Sequence, residues 1–277
     1  MGLRINTNIP SLAAQRSLSN TTRSMNQNLR ALSSGERITK AGDDAAGLAI
    51  SENLKSQIRG IRQARRNAGD AISLVQTAEG GLNEVSNIII RLRELSIQAA
   101  SDTVGDAERA FANIEFQQIK EELDRIAQST EFNGTKLLDG TGGTLEFQVG
   151  IHNDPMLDRL RYDAAKSDAT LGSLGLSEES VATKIGAQTS LKKLDDALVQ
   201  VNGVRAELGA VQNRLTSVLN TTAITDENLS AANSRIRDVD VAQATADLTR
   251  NNILMQSGVS VLSNANSFPK VALKLLD

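Results

Sequence analysis

Residues 54–95, LKSQIRGIRQARRNAGDAISLVQTAEGGLNEVSNIIIRLREL, carry the pattern that decides the fold. Leu54, Ile61, Ala68, Val75, Leu82 and Ile89 recur every seven residues, with Ile58 and Ile72 beside them on a broadened stripe. A seven-residue apolar repeat keeps one face of a helix turned toward a partner helix, so the stretch predicts a long helix in a coiled coil or bundle. The helix is expected to reach Ala100, and Gly80-Gly81 marks either a bend or the close approach of a neighbour.

Downstream, the polar break from Ser101 to Gly105 precedes a third helix expected over Asp106 to Ser129, with Phe116, Ile119, Leu123 and Ile126 on one face. Phe132-Asn133-Gly134 and Leu138-Asp139-Gly140 end the helical pattern. Thr144 to Val149 alternates apolar and polar residues as a strand does, and a second strand near Leu157 to Tyr162 completes a hairpin around His152. Two strands so short must rest against helices. Helix returns at about Ser180 and runs to Leu219, where Leu194, Val201, Leu208 and Leu215 repeat the seven-residue step and Leu198, Val211 and Leu219 widen it. A linker at 220–228, a last helix from Leu229 to Ala265 and a stop at Phe268-Pro269 are expected.

Upstream, Pro10 suits a helix start and opens a helix expected from Ser11 to Ser33. Leu18, Thr22, Met25, Leu29 and Leu32 fall at alternating steps of four and three, a heptad-like seam. Many of its other positions are Ser, Thr, Asn or Gln, weak helix formers, so the segment needs a partner to become ordered. The return arm has a matching but less regular face through Ile236, Ile253, Val261 and Leu262.

Composition restricts the chemistry. The chain has 277 residues with no Cys, no Trp, one Tyr, one His and five Phe, so burial must come from aliphatic side chains and neither disulfides nor a His- or thiolate-based metal centre is expected. No leader-like segment opens it, and no apolar run approaches a membrane span. The first 40 residues carry Arg4, Arg16, Arg23, Arg30, Arg37 and Lys40 against Glu36 alone. Their seven-residue spacing reads as the charged edge of a packing helix rather than a phosphate-binding cluster. Asp43-Asp44 and Glu121-Glu122 have no base, nucleophile or metal partner beside them, and the glycines of 140–143 lack a phosphate-loop ending. No enzyme and no cofactor is expected.

The fold class is therefore mainly α: a long antiparallel helical rod or coiled-coil bundle with a small β-hairpin near 141–162. Residues 1–43 and 228–277 form one discontinuous domain of terminal helices, and 44–227 form the rod between them. Each terminal arm joins an apolar face to poor helix propensity, so its best burial is against the other arm and against copies of the chain. Heterologous contacts of that kind build filaments.

Several motifs resemble bacterial flagellins. They are Leu3-Arg4-Ile5-Asn6-Thr7-Asn8, Leu32-Ser33-Ser34-Gly35-Glu36-Arg37-Ile38, the run from Ala41 to Ile50, and Gln76-Thr77-Ala78-Glu79-Gly80-Gly81-Leu82. Arg93-Glu94-Leu95, Phe132-Asn133-Gly134-Thr135-Lys136-Leu137-Leu138, Leu208 to Leu215, Ser234 to Asp240 and Ser260 to Asn266 continue the match.

The resemblance implies a secreted, extracellular homopolymer for swimming motility, with the terminal segments as an inner tube and the adjoining helices as an outer one. It also implies type III export, an export chaperone on the carboxyl-terminal arm, a distal filament cap and hook-filament junction proteins as partners. The self-assembly residues are then Leu18, Met25, Leu29, Leu32, Ile236, Ile253, Val261 and Leu262. Arg91, Leu95 and Glu115 match positions through which an animal flagellin-sensing toll-like receptor recognises some flagellins. Relatives often insert variable surface domains after the hairpin, where this chain has only 163–181, so a short form is expected. Asp277 departs from the Arg or Gln at the end of many relatives, which makes its pairing with the basic first 40 residues an expectation. A hook-filament junction protein and an unrelated coiled-coil adaptor are the alternatives.

Overall fold

The computed structural model describes residues 7–274, with side chains through Ser267. The motif at Leu3 to Asn6, the tail from Leu275 to Asp277 and the Asp277 pairing lie outside the described residues. Five α-helices dominate: α1 (Ile9–Ser34), α2 (Ala45–Ala100), α3 (Asp106–Ser129), α4 (Lys184–Arg237) and α5 (Val241–Lys274). Four short strands separate α3 from α4: β1 (Glu131–Phe132), β2 (Thr135–Lys136), β3 (Thr144–Gln148) and β4 (Arg159–Asp163). The chain divides into two compact units, one of residues up to Ser56 with those from Asn228 onward, the other Gln57–Glu227.

In the second unit the seven-residue stripe is the core. Ala68, Val75, Leu82 and Ile89 on α2 and Leu194, Leu208 and Leu215 on α4 are wholly or almost wholly buried, with Phe116 and Leu123 of α3 between them. The helices pair antiparallel: Arg62 meets Asp226, Arg93 meets Asp195 and Asp102 meets Lys184 across α2 and its continuation into α4. Helix α2 runs unbroken through Gly80-Gly81. Close approach is the reason for the second glycine, because a Cβ on Gly81 would lie 2.7 Å from Leu138 Cδ1 and 2.7 Å from Thr130 Oγ1.

The hairpin β3–β4 pairs Thr144 with Asp163 through Gln148 with Arg159. It rests on the helices as its length requires: Leu160 and Tyr162 join the core, and Asn67 Nδ2 donates to the Gln148 carbonyl at 3.0 Å. A second, smaller hairpin joins β1 to β2 through Asn133 and Gly134, both at positive φ. Two successive left-handed residues give the turn that matches strand twist, and Asn-Gly is the pair that adopts it most readily.

Two boundaries differ from the sequence expectation. Helix α4 continues through 220–228 to Arg237, and the break falls at 238–240. The expected linker is polar but contains neither Gly nor Pro, and the hydroxyls of Thr221, Thr222 and Thr225 donate to carbonyls four residues back, so the polar side chains are satisfied within the helix. Helix α5 also extends past Phe268-Pro269 to Lys274. Pro269 has no N–H for the Ala265 carbonyl, but Asn8 Nδ2 donates to that carbonyl at 2.8 Å. A side chain from α1 thus makes the bond that proline cannot.

Candidate functional site

Helices α1 and α5 run antiparallel, Asn8 lying against Ala265 and Gly35 against Val239. Asn8 serves both helices, since its Oδ1 also accepts from the Ser11 N–H at 3.1 Å and caps α1. Ser11 Oγ then donates to Asn266 Oδ1 at 2.7 Å, so this end of the pair is held by polar contacts. Between the ends, Leu18, Met25 and Leu32 of α1 and Met255 and Leu262 of α5 are half-buried. Gly258 keeps the helices close, because a Cβ there would stand 3.4 Å from Leu18 Cδ1.

The other end is a corner built from two sequence signatures. Gly35 at φ 72° ends α1 in the left-handed conformation, which frees Glu36 to form a bridge with Asp238. The Arg37 N–H donates to the Arg237 carbonyl at 2.6 Å, and the Val239 N–H to the Gly35 carbonyl at 3.0 Å. Arg237 hydrogen-bonds Glu52, and its Nε lies 2.9 Å from Glu36 Oε1 as an ion pair without hydrogen-bond alignment. The bond to Glu52, with Glu36 beside it, raises the guanidinium above its ordinary pKa. Asp240 accepts from the N–H groups of Ala242 and Gln243 and caps α5.

The paired carboxylates have structural work in this corner. Asp43 Oδ2 accepts from the Thr39 hydroxyl and from the Thr39 and Lys40 N–H groups; the hydroxyl contact is the main cause holding its carboxyl below the usual range. Asp44 accepts from the Gly47 N–H and starts α2. Gly47 is required because a Cβ would fall 2.8 Å from Cδ1 of Ile38, which is buried. On α3, Glu122 pairs with Arg125. The sequence marked Asp240 and Arg237 only as parts of a motif; an Asp just before an apolar run was the available sign of a helix start there.

The structure separates the expected assembly residues into two groups. Leu18, Met25, Leu32, Ile236 and Leu262 are half-buried, whereas Leu29, Ile253 and Val261 are exposed. Ile9, Leu12, Leu254 and Val259 add to the exposed group, so both helices present apolar surface away from their shared seam. In the second unit Arg91 bonds Glu115 at 2.7 Å and Glu94 at 3.0 Å, while Leu95 lies in the core. His152 is exposed on the hairpin loop. Among the described residues no group of three or more His, Cys, Asp or Glu could hold a metal ion, and no helix is long and apolar enough to cross a membrane.

Residues 5–142 match the bacterial flagellin N-terminal helical region, and residues 191–276 match the bacterial flagellin C-terminal helical region. The chain belongs to the bacterial flagellin family. It is 43% identical over 272 residues to the flagellin of Halalkalibacterium halodurans, covering 98% of this chain and 99% of that one. It is 41% identical over 303 residues to the flagellin of Bacillus subtilis, covering 99% and 100%. The crystal structure of Bacillus cereus flagellin superposes with a TM-score of 0.51 at 34% identity, over 57% of this chain and 88% of that one. A putative flagellar hook-associated protein from Vibrio parahaemolyticus shares the fold at 15% identity and a TM-score of 0.58, over 71% of this chain and all of that one. This flagellin is a short form, a non-enzymatic, secreted structural subunit that self-assembles into the extracellular filament used for swimming.

Proposed function

We propose that residues 1–43 and 228–277 form the inner layer of the flagellar filament, and residues 44–227 its outer layer. In this reading Leu18, Met25, Leu32, Ile236 and Leu262 hold the arms of one subunit together, and neighbouring subunits cover Leu29, Ile253 and Val261. The observation that carries it is the pair of exposed apolar faces on α1 and α5, which water leaves uncompensated and a homopolymer buries. Before assembly the same faces suit an export chaperone on the α5 arm, the chain leaving through the type III route. The distal cap and the hook-filament junction proteins would meet these arms at the two ends of the polymer. For the animal toll-like receptor, Arg91 and Glu115 would supply the contact and the buried Leu95 would support it from beneath.

Leu29→Asp and Ile253→Asp each place a charge in a face that assembly must desolvate. Seeded polymerisation followed by electron microscopy should give fewer and shorter filaments than wild type, with the monomer's melting unchanged. Wild-type yield and length from both variants would refute the layer assignment.

A further inference from the structure

We infer that α3 of one subunit docks through Phe111 and Ile114 into the groove between the β3–β4 hairpin and α4 of a second copy of this chain; this rests on the filament reading above. The groove has a volume of 340 Å³, with Val149, Met156, Leu160 and Val218 supplying apolar walls and Arg159 and Arg214 the charge. Met156 and its neighbour Leu157 are 88% and 80% exposed, more than any other large apolar residue described. A hairpin loop that holds two such side chains beside a partly apolar groove lacks a cover of matching chemistry.

Helix α3 presents that cover. Phe111 and Ile114 are 72% and 62% exposed on a helix whose opposite face is buried through Phe116 and Leu123. Glu108 stands one turn before Phe111, exposed and, among the described residues, without a cationic partner. Arg214 in the groove is likewise exposed and has no carboxylate partner among the described residues. An aromatic side chain flanked by a lone acid therefore faces, in a second copy, an apolar groove flanked by a lone guanidinium.

One chain cannot close this contact on itself. The ion pairs Arg62–Asp226 and Arg93–Asp195 set Ser217 opposite about residue 71 of α2, and Arg91–Glu115 sets Phe111 opposite about residue 95. At about 1.5 Å per residue the two surfaces lie roughly 36 Å apart along the helices. Two different patches so separated make a heterologous contact, which propagates from subunit to subunit rather than closing at a dimer.

The absence of cysteine from the sequence makes the test direct. Full-length Ser217→Cys and Ile114→Cys proteins are seeded into polymer separately and as a mixture, then treated with a short bis-maleimide. Cross-linked dimers should form in the mixed polymer and remain at background in mixed monomer and in either single polymer. In parallel, Arg214→Glu and Glu108→Arg should each raise the critical concentration about tenfold, and the two substitutions combined in one chain should return it to within about twofold of wild type. Background cross-linking in mixed polymer, or charge reversals whose effects add instead of cancelling, would overturn the docking while leaving the filament reading intact. Failure of wild-type protein to polymerise would instead remove the filament reading and the docking with it.

Discussion

The two compact units use the same antiparallel helix pairing but close it to different degrees. In the Gln57–Glu227 unit, α2, α3 and α4 enclose a core in which Leu82, Ile89, Leu123, Leu194 and Leu208 are fully buried, and the hairpin adds Leu160 and Tyr162. In the terminal unit, α1 and α5 make a two-helix seam of half-buried side chains, while Ile9, Leu29, Ile253 and Val261 remain exposed. Two helices cannot surround a residue as three and a hairpin can. The first unit is thus equipped for stability within one chain, and the second reaches comparable burial only among neighbours.

The largest expected break in that contrast is Phe116→Ala. Loss of this fully buried ring should cost the Gln57–Glu227 unit about 3–5 kcal/mol in chemical denaturation, with little change in the hydrogen exchange of α1 and α5. A loss below about 1 kcal/mol would mean that the core is less closely packed than its burial implies. Next, Arg237→Ala removes the contacts to Glu52 and Glu36 and should destabilise the corner by about 1.5–3 kcal/mol, read as faster exchange of the Arg37 and Val239 amides.

A pH series sharpens the comparison further. Glu179 is buried beside Lys193, Ser190 and Lys120; burial works to raise its pKa, but the hydrogen bonds from Lys193 and Ser190 and the nearby positive charges outweigh it, so the net shift is downward. A lowered folded pKa contributes stability that is complete above the unfolded value of about 4.3 and is lost as pH falls from there through the folded value. Glu179→Gln should therefore lower stability at neutral pH by about 1–2 kcal/mol and flatten the acid side of the stability curve. An unchanged acid slope would place the titration elsewhere.

Asn8→Ala should cost the terminal unit about 1 kcal/mol, through the lost cap and the orphaned Ala265 carbonyl. Pro269→Ala restores an N–H for that carbonyl, so in its background the Asn8 penalty should shrink; equal penalties in both backgrounds would disprove the proline compensation. The smallest effect belongs to Asp195→Asn, which breaks the exposed pair with Arg93 and should change the melt by no more than about 0.5 kcal/mol.

Much of this was readable in the chain. The span of α3 was legible as Asp106 to Ser129 because a polar break precedes it and one apolar face runs through it. The hairpin was legible from alternation, although the smaller β1–β2 turn was passed over despite its Asn-Gly pair. Burial along α2 followed the repeat that begins at Leu54, with Leu54 itself only half-buried. Less visible was the segment between β4 and α4, where Leu174, Leu176 and Val181 are buried and Lys120 Nζ donates to the carbonyls of Ser177 and Glu179. Such anchoring joins residues nearly sixty positions apart and leaves no periodic trace.

What the sequence determined by itself was the helical class, the seam residues, and, through its motifs, the family. These are local or periodic properties, set by the 3.6-residue turn and by which side chains avoid water. Only the tertiary structure decided that α4 continues through a polar stretch, that α5 passes a proline because Asn8 supplies the missing donor, and that Leu29, Ile253 and Val261 face away from the seam that Leu18 and Leu262 share. A hydrogen-bond debt or an exposed face depends on what stands opposite, and that is fixed by residues far away in the chain.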